Sequence, residues 1–190
     1  MTAIAVFAYG SLVDPDSAAL TLGREAEPIP ARLGGWRRRW SQARDNLKAE
    51  KTFATEPDGA LPPWILGLNI EPNPGAAGPN GVLIEVNEEE LVDLDRRELR
   101  YDRIEVTIPS EADRFAAIFS YTAKPAHFAP RPPAGAVIVT AYARTVERAF
   151  AALGPAELAT YLATTGPPPV DVVDAQLVSG NIPAGNPRQW

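Results

Sequence analysis

Apolar residues run unbroken from Ile4 to Tyr9, the pattern of a strand buried on both faces. The run ends in Gly10-Ser11-Leu12. Asp14-Pro15 then opens a short helix to about Leu22, with Asp14 as N-cap and Pro15 in its first turn. Strand-like material follows around Ala31-Arg32-Leu33 and from Trp36 to Trp40, within the stretch Ile29 to Gln42. Trp64 to Ile70 and Gly81 to Val86 are further strands. Residues 54–63 and 72–80, rich in Pro, Gly and Asn, read as loops. From Tyr101 to Ile108 the alternation is clean: Ile104, Val106 and Ile108 face one side, Arg103, Glu105 and Thr107 the other. Phe115 to Tyr121 is the next strand. A proline-heavy loop, Lys124 to Gly135, leads into helical periodicity over Val139–Leu153 and Pro155–Thr164, and Ser179 to Trp190 reads as an extended, turn-rich tail. Strands fill the first two-thirds and helices the last third, which favours α+β over regular βαβ winding. Short sequential strands of this kind could curl into a small barrel, which periodicity alone does not decide.

One position breaks the pattern. Asn87 to Tyr101 reads as a short helix running into a strand. At about 100° per residue, Leu91, Val92, Leu94, Leu99 and Tyr101 share an apolar arc. Glu98 falls inside it, between the angular positions of Leu94 and Leu91. A carboxyl facing a core is costly to ionise, so its pKa is expected to rise, as in a proton shuttle that works near neutral pH. Two blander readings stay open. The charged run from Glu88 to Arg103 could be a solvated face stitched by i,i+4 pairs. Glu98 could also be an inward group neutralised by a neighbouring arginine. Asp95 lies near the same arc, and a small error in helix phase would exchange the two.

Size and charge narrow the field. A chain of 190 residues fits one domain with a real core. The formal net charge of −6 argues against a nucleic-acid backbone binder. Arg37-Arg38-Arg39, between Trp36 and Trp40, therefore reads as a strand with charged edges. On it Trp36, Arg38 and Trp40 share a face and the other arginines point away. No cysteine is present, which removes disulfides, thiolate metal sites and a cysteine nucleophile. The first ten residues lack a basic leader, and no stretch approaches ~18 apolar residues, so neither a signal peptide nor a membrane span is expected. Cytoplasmic is the default compartment. The acidic residues show no compact metal-ligand spacing, and Gly75, Gly78 and Gly81 match neither a dinucleotide fingerprint nor a P-loop. No metal or cofactor is indicated.

Tyr9-Gly10-Ser11-Leu12 sits where an apolar strand breaks. Glycine there permits close approach of a ligand to the backbone, and successive N–H groups at such a turn can hold a carboxylate. An ordinary strand-to-helix turn fits the same residues. Ser11 lacks the Gly-x-Ser-x-Gly elbow of a nucleophile, and His127, the single histidine, reads as a surface residue in a proline-rich loop.

Together these residues resemble the γ-glutamyl cyclotransferase-like family. The marks are Phe7-Ala8-Tyr9-Gly10-Ser11-Leu12, then Gly81-Val82-Leu83-Ile84-Glu85-Val86, then Leu94-Asp95-Arg96-Arg97-Glu98 with Tyr101 close behind. Leu33-Gly34-Gly35-Trp36-Arg37-Arg38 looks like the family's second strand. The likeness covers roughly residues 4–123. Several branches carry a glycine soon after the glutamate, where this chain has Leu99-Arg100.

The resemblance implies an α+β fold, a small mixed β-barrel flanked by helices, with a cavity between the Tyr-Gly-Ser-Leu loop and the glutamate. It implies a small-molecule γ-glutamyl substrate, released as 5-oxoproline when its own α-amine attacks its γ-carbonyl. Glu98 would be the general acid and base. Backbone N–H groups of Gly10, Ser11 and Leu12 would hold the glutamyl end, with Tyr9 and Tyr101 shaping the pocket. Neither metal nor cofactor is implied. The competing expectations are a binding module that keeps the fold without turnover, and a γ-glutamyl hydrolase in which Glu98 activates water. The sequence sets no oligomeric state and does not name the amine that leaves.

Overall fold

The computed structural model describes residues 3–180. Its centre is the predicted apolar run. Strand β1 (Ala3–Ala8) lies in the middle of a mixed five-stranded sheet, with β6 (Asn80–Val86) antiparallel on one side and β8 (Phe115–Ala123) parallel on the other. β2 (Ile29–Arg32) and β7 (Tyr101–Val106) form the edges. Ala5, Val6, Phe7 and Ala8 are almost wholly buried, as an unbroken apolar run demands. β6 can lie against the end of β1 because position 81 is glycine: a Cβ there would fall 2.2 Å from the Ala8 carbonyl oxygen.

A second ladder joins β3 (Trp36–Asp45), β5 (Trp64–Pro72), β9 (Ala136–Val139) and β10 (Val172–Val173). β5 runs antiparallel to β3 and parallel to β9. Asn69 ties the two sheets, its Oδ1 accepting from the Ala123 N–H at 2.8 Å. A two-stranded ladder, β4 (Lys51–Thr55) with β11 (Ala175–Gly180), completes the strands. Among the described residues none of these ladders closes on itself, so the expected barrel is not found. The fold is mixed α+β.

α1 (Pro15–Leu22) is capped as predicted, with the Asp14 carboxylate accepting from the Asp16 N–H. α2 (Glu88–Arg97) starts in a capping box: Asn87 accepts from the Glu90 N–H, and Glu90 accepts from the Asn87 N–H. Arg24, beyond the end of α1, donates to Glu90 at 2.5 Å and so joins the two helices. α3 (Thr140–Leu153) and α4 (Pro155–Thr165) pack through Phe150 and Tyr161, stacked 4.6 Å apart.

Three departures from the sequence reading matter. The apolar stretch Ala136–Val139 is a strand, and α3 begins only at Thr140. β4 runs into the segment taken as loop from residue 54. Most consequential, α2 stops at Arg97, one residue before Glu98. Its inward positions are Glu90, Leu91, Leu94 and Arg97, while Val92 is 46% exposed. The arc was placed about one residue out of phase, and the buried polar residue at the helix end is an arginine. Of the tail, Ser179 and Gly180 belong to β11, and residues 181–190 lie outside the described residues.

Candidate active site

Where β1 ends, the chain makes a single helical turn over Ser11–Val13, closed by the Val13 N–H donating to the Gly10 carbonyl at 3.0 Å. The first N–H groups of such a turn have no partner within it. Across from it, Glu98 occupies the C-cap of α2 with φ −89° and ψ 49°, and its N–H donates to Leu94 O. The chain then turns at once, with the Tyr101 N–H donating to Glu98 O, and enters β7. The cap geometry takes the Glu98 side chain off the leucine face and aims it into a recess. That side chain, 14% exposed, lines a cavity.

Two recesses meet at this carboxylate. The inner one, of about 40 Å³, is bounded by Tyr9, Gly10, Ser11, Leu12, Tyr101 and Tyr121 among others. The outer one, of about 540 Å³, reaches from Ser11 and Ser17 past Tyr101 to the ends of β3, β4 and β5. Ser11, Glu98, Tyr101 and Tyr142 line both. Every residue singled out from sequence for the site (Tyr9, Gly10, Ser11, Leu12, Glu98 and Tyr101) is therefore brought to one place. Asp95 is not. It faces outward, accepting from the Tyr121 hydroxyl at 2.8 Å and pairing with Arg103 at 3.0 Å. His127 is half-buried in the turn Pro125–His127, and burial first, then Arg100, pushes its imidazole below its ordinary value.

The phenols around Glu98 are fixed donors. Tyr9 donates to Tyr121 O at 2.7 Å, and Tyr101 donates to Leu68 O at 2.7 Å. Burial, reinforced by the negative charge of Glu98, pushes the Tyr9 hydroxyl well above its ordinary range, so it stays protonated. Tyr121 moves the same way, through burial first and then the Asp95 carboxylate that accepts its hydrogen bond.

Arg97 was read as part of a charged run, and it organises the site. Its side chain is 1% exposed. It donates to Ser17 O and Oγ, Thr21 Oγ1, Ser11 Oγ and, at 3.2 Å, Glu98 Oε1. One guanidinium thus joins α1, the Ser11 turn and the cavity carboxylate. The reading of Glu98 as an inward group beside an arginine describes this geometry. Tyr142, in the first turn of α3, had no signal in the sequence. Its hydroxyl lies 3.2 Å from where a Cβ on Gly10 would sit, so a glycine at position 10 lets the two approach.

Arg38 shares its face of β3 with Trp40, and at 1% exposed it is far more buried than the charged strand edge expected of it. It donates to Tyr9 O, Asn80 O and Oδ1, Tyr161 O, and the hydroxyls of Thr164 and Thr165. The rings of Phe150 and Tyr161 lie 4.9 and 4.5 Å from its guanidinium carbon. Burial pushes it down to about 10, still cationic at neutral pH.

Among the described residues no group of three or more His, Asp or Glu side chains could hold a metal ion, and no helix is long and apolar enough to cross a membrane. No protein-family model matches the sequence, and no curated protein matches it. Solved structures do. A γ-glutamyl cyclotransferase aligns over 87% of this chain and 89% of its own, with TM-score 0.55 and 17% identity. An uncharacterised protein from Homo sapiens covers 88% and 90%, with TM-score 0.58 and 20% identity. A yeast γ-glutamyl cyclotransferase specific to glutathione covers 87% and 98%, with TM-score 0.52 and 18% identity. The chain has the fold of the γ-glutamyl cyclotransferases.

Proposed function

We propose that the chain is a single-domain, cytoplasmic enzyme that releases 5-oxoproline from a γ-glutamyl amine or peptide, with Glu98 as its general acid and base. The observation that carries this reading is the meeting of Glu98 with the Tyr9–Leu12 loop at the junction of two recesses. The small inner recess suits the glutamyl end and the larger outer one the amine that leaves. The fold shared with γ-glutamyl cyclotransferases supports the same assignment.

The chemistry needs little from the protein. The substrate's α-amine nitrogen bonds to its γ-carbonyl carbon, and the amide C–N bond breaks. Two protons leave the α-ammonium and two arrive on the departing amine, so the reaction is proton-neutral overall. Glu98 carries protons between those nitrogens, a task that typically contributes about 10²–10⁴-fold. Both reacting groups are already in one molecule, and well-oriented intramolecular reactions reach effective molarities of about 10⁵–10⁸ M. Folding the substrate is then the main demand. Amides at Ser11 and Leu12 would hold its glutamyl carboxylate, while Tyr9 and Tyr101, locked by their own hydrogen bonds, would shape the walls.

The test is product identity. Incubating the protein with a panel of γ-glutamyl amines and amino acids, read by mass spectrometry, is expected to yield 5-oxoproline and the free amine. Free glutamate as the product would make the protein a hydrolase. Ligand-induced rise in melting temperature with no product would make it a binding module.

A further inference from the structure

Among the described residues, one buried side-chain polar atom has no hydrogen-bond partner: Nε2 of Gln42. Gln42 is 6% exposed, and it lines the outer recess. An unmatched buried donor is costly, and native structures rarely keep one without a use. An acceptor that arrives with a ligand would supply the use.

The backbone holds this amide in one place. Pairing between β3 and β5 runs from Arg39 opposite Asn69 to Gln42 opposite Gly67, so β3 carries one extra residue in that interval. A bulge of this kind re-aims a side chain. On its other edge Gln42 bridges to Phe128, and the Ala129 N–H donates to Ser41 O at 2.8 Å. The residue facing Gln42 has no side chain, and a Cβ on Gly67 would fall 2.8 Å from Gln42 Oε1. The Gln42 amide occupies the space that glycine leaves. Its terminal torsion joins an sp³ to an sp² carbon and turns over a broad range, so the N–H groups can swing to an acceptor in the recess.

Position points to the acceptor. The Tyr101 hydroxyl lies 3.4 Å from the same Gly67 Cβ position, so it and the Gln42 amide are neighbours across the glycine. Tyr101 lines both recesses. On β5, Gly67 lines the outer recess and the next residue, Leu68, lines the inner one. Gln42 therefore stands at the junction. With the glutamyl end in the inner recess and the amine in the outer, the substrate group that crosses the junction is the γ-carbonyl. The phenols nearby are committed elsewhere, Tyr9 donating to Tyr121 O and Tyr101 to Leu68 O.

Resting on the cyclotransferase reading, we propose that Gln42 is a further catalytic residue, whose side-chain N–H donates to the γ-carbonyl oxygen as negative charge builds on it. The α-amine nitrogen bonds to the γ-carbon, and the C=O π pair moves onto the oxygen. That pair returns when the C–N bond to the leaving amine breaks. Glu98 takes the proton that the attacking nitrogen sheds and passes one to the leaving nitrogen. The Gln42 hydrogen is shared throughout and never transferred. A donor without a partner in the free protein gives up no earlier bond when the oxyanion forms, so its gain falls on the transition state.

The experiment measures kcat and KM for 5-oxoproline formation from γ-glutamyl-alanine and γ-glutamyl-propylamine, with thermal melting of the same proteins. Gln42→Met keeps the length of the side chain and removes the donor. Its kcat is expected to fall about 10²–10³-fold on both compounds, the cost of losing one such donor, with KM little changed. The melting temperature should hold or rise, since an unmatched buried donor is gone. Gly67→Ala, whose Cβ must push the amide aside, should lower kcat in the wild-type background and add little on top of Gln42→Met. Unchanged kcat in a folded Gln42→Met protein, or in Gly67→Ala, would overturn the proposal. So would a loss confined to one compound or carried by KM, which would make Gln42 a contact to the leaving amine. Full additivity of the two substitutions would overturn it as well. In each of those cases the cyclotransferase reading survives. Formation of no 5-oxoproline by wild type from either compound would sink both.

Discussion

Arg38 and Arg97 grip the same loop from either side of Gly10. Arg38 donates to the Tyr9 carbonyl, and Arg97 donates to the Ser11 hydroxyl. Both are almost wholly buried, and both come from arginine-rich runs that look like solvated charge. They differ in what else they hold. Among the described residues Arg38 meets neutral acceptors, carbonyls and hydroxyls drawn from Tyr9, β6 and α4. Arg97 adds a carboxylate that faces the cavity. A guanidinium whose N–H groups all end in the scaffold can only set where the loop sits. One that also touches Glu98 sets where the proton carrier sits.

That contrast can be broken by substitution. Arg38→Met strands several buried acceptors at once, each worth about 1–3 kcal/mol when left unmatched. The expected result is the largest stability loss of the set, more than about 3 kcal/mol by urea denaturation, with kcat per folded molecule largely kept. A variant as stable as wild type would show that the Arg38 network is dispensable. Arg97→Met is expected to split the other way. Hydroxyls of Ser11, Ser17 and Thr21 can turn to new partners, so stability falls less. Loss of the brace on Glu98 should lower kcat by about 10²-fold, the scale of a misplaced catalytic group, while KM moves little. Equal proportional changes in kcat and amount of folded protein would reduce Arg97 to scaffold.

The smallest effect belongs to the arginines that flank Arg38 and point the other way. Arg37 and Arg39 meet Glu71 at 2.7 and 3.3 Å. Burial alone would push the Glu71 carboxyl up, but hydrogen bonds from Ser41 and Arg37, with the charge of Arg39, hold it below glutamate's ordinary value. Its contribution is present above the ordinary value of about 4.3 and drains away as pH falls through the lower folded value. Glu71→Gln should therefore melt somewhat below wild type at pH 7, and the two melting curves should converge under acid. A gap that persists at low pH would assign the loss to packing.

The two arginines also mark what the sequence could convey. Local pattern was enough for β1, because an unbroken apolar run admits few readings, and for the turn at Tyr9-Gly10-Ser11-Leu12 that it delivers. The short helix before Glu98 was legible as well, but its phase was not. With Leu91 and Leu94 as the inward pair, positions 97 and 98 are almost equally good continuations of the arc. The cap geometry that separates them depends on a turn after the helix. Arg38 gave no local sign of burial, since its acceptors come from residues 9, 80 and 161–165. β4 was missed because its partner is the C-terminal β11. β9 was missed because four apolar residues between a loop and a helix are too few to show a period of their own, and the last of them, Val139, also fits the helix that follows. Gln42 could not be seen at all. A glutamine on a strand has no signature until a bulge and a facing glycine leave its amide in a cavity.

Glu98→Gln tests the central claim most directly. The substitution keeps size and hydrogen-bonding capacity and removes the ability to carry a proton. The variant is expected to fold like wild type by circular dichroism and thermal melting. It should still bind γ-glutamyl compounds, while 5-oxoproline formation from every substrate that wild type cleaves falls by at least about 10²-fold. Undiminished 5-oxoproline formation by a folded Glu98→Gln protein would contradict the account and take Glu98 out of the mechanism.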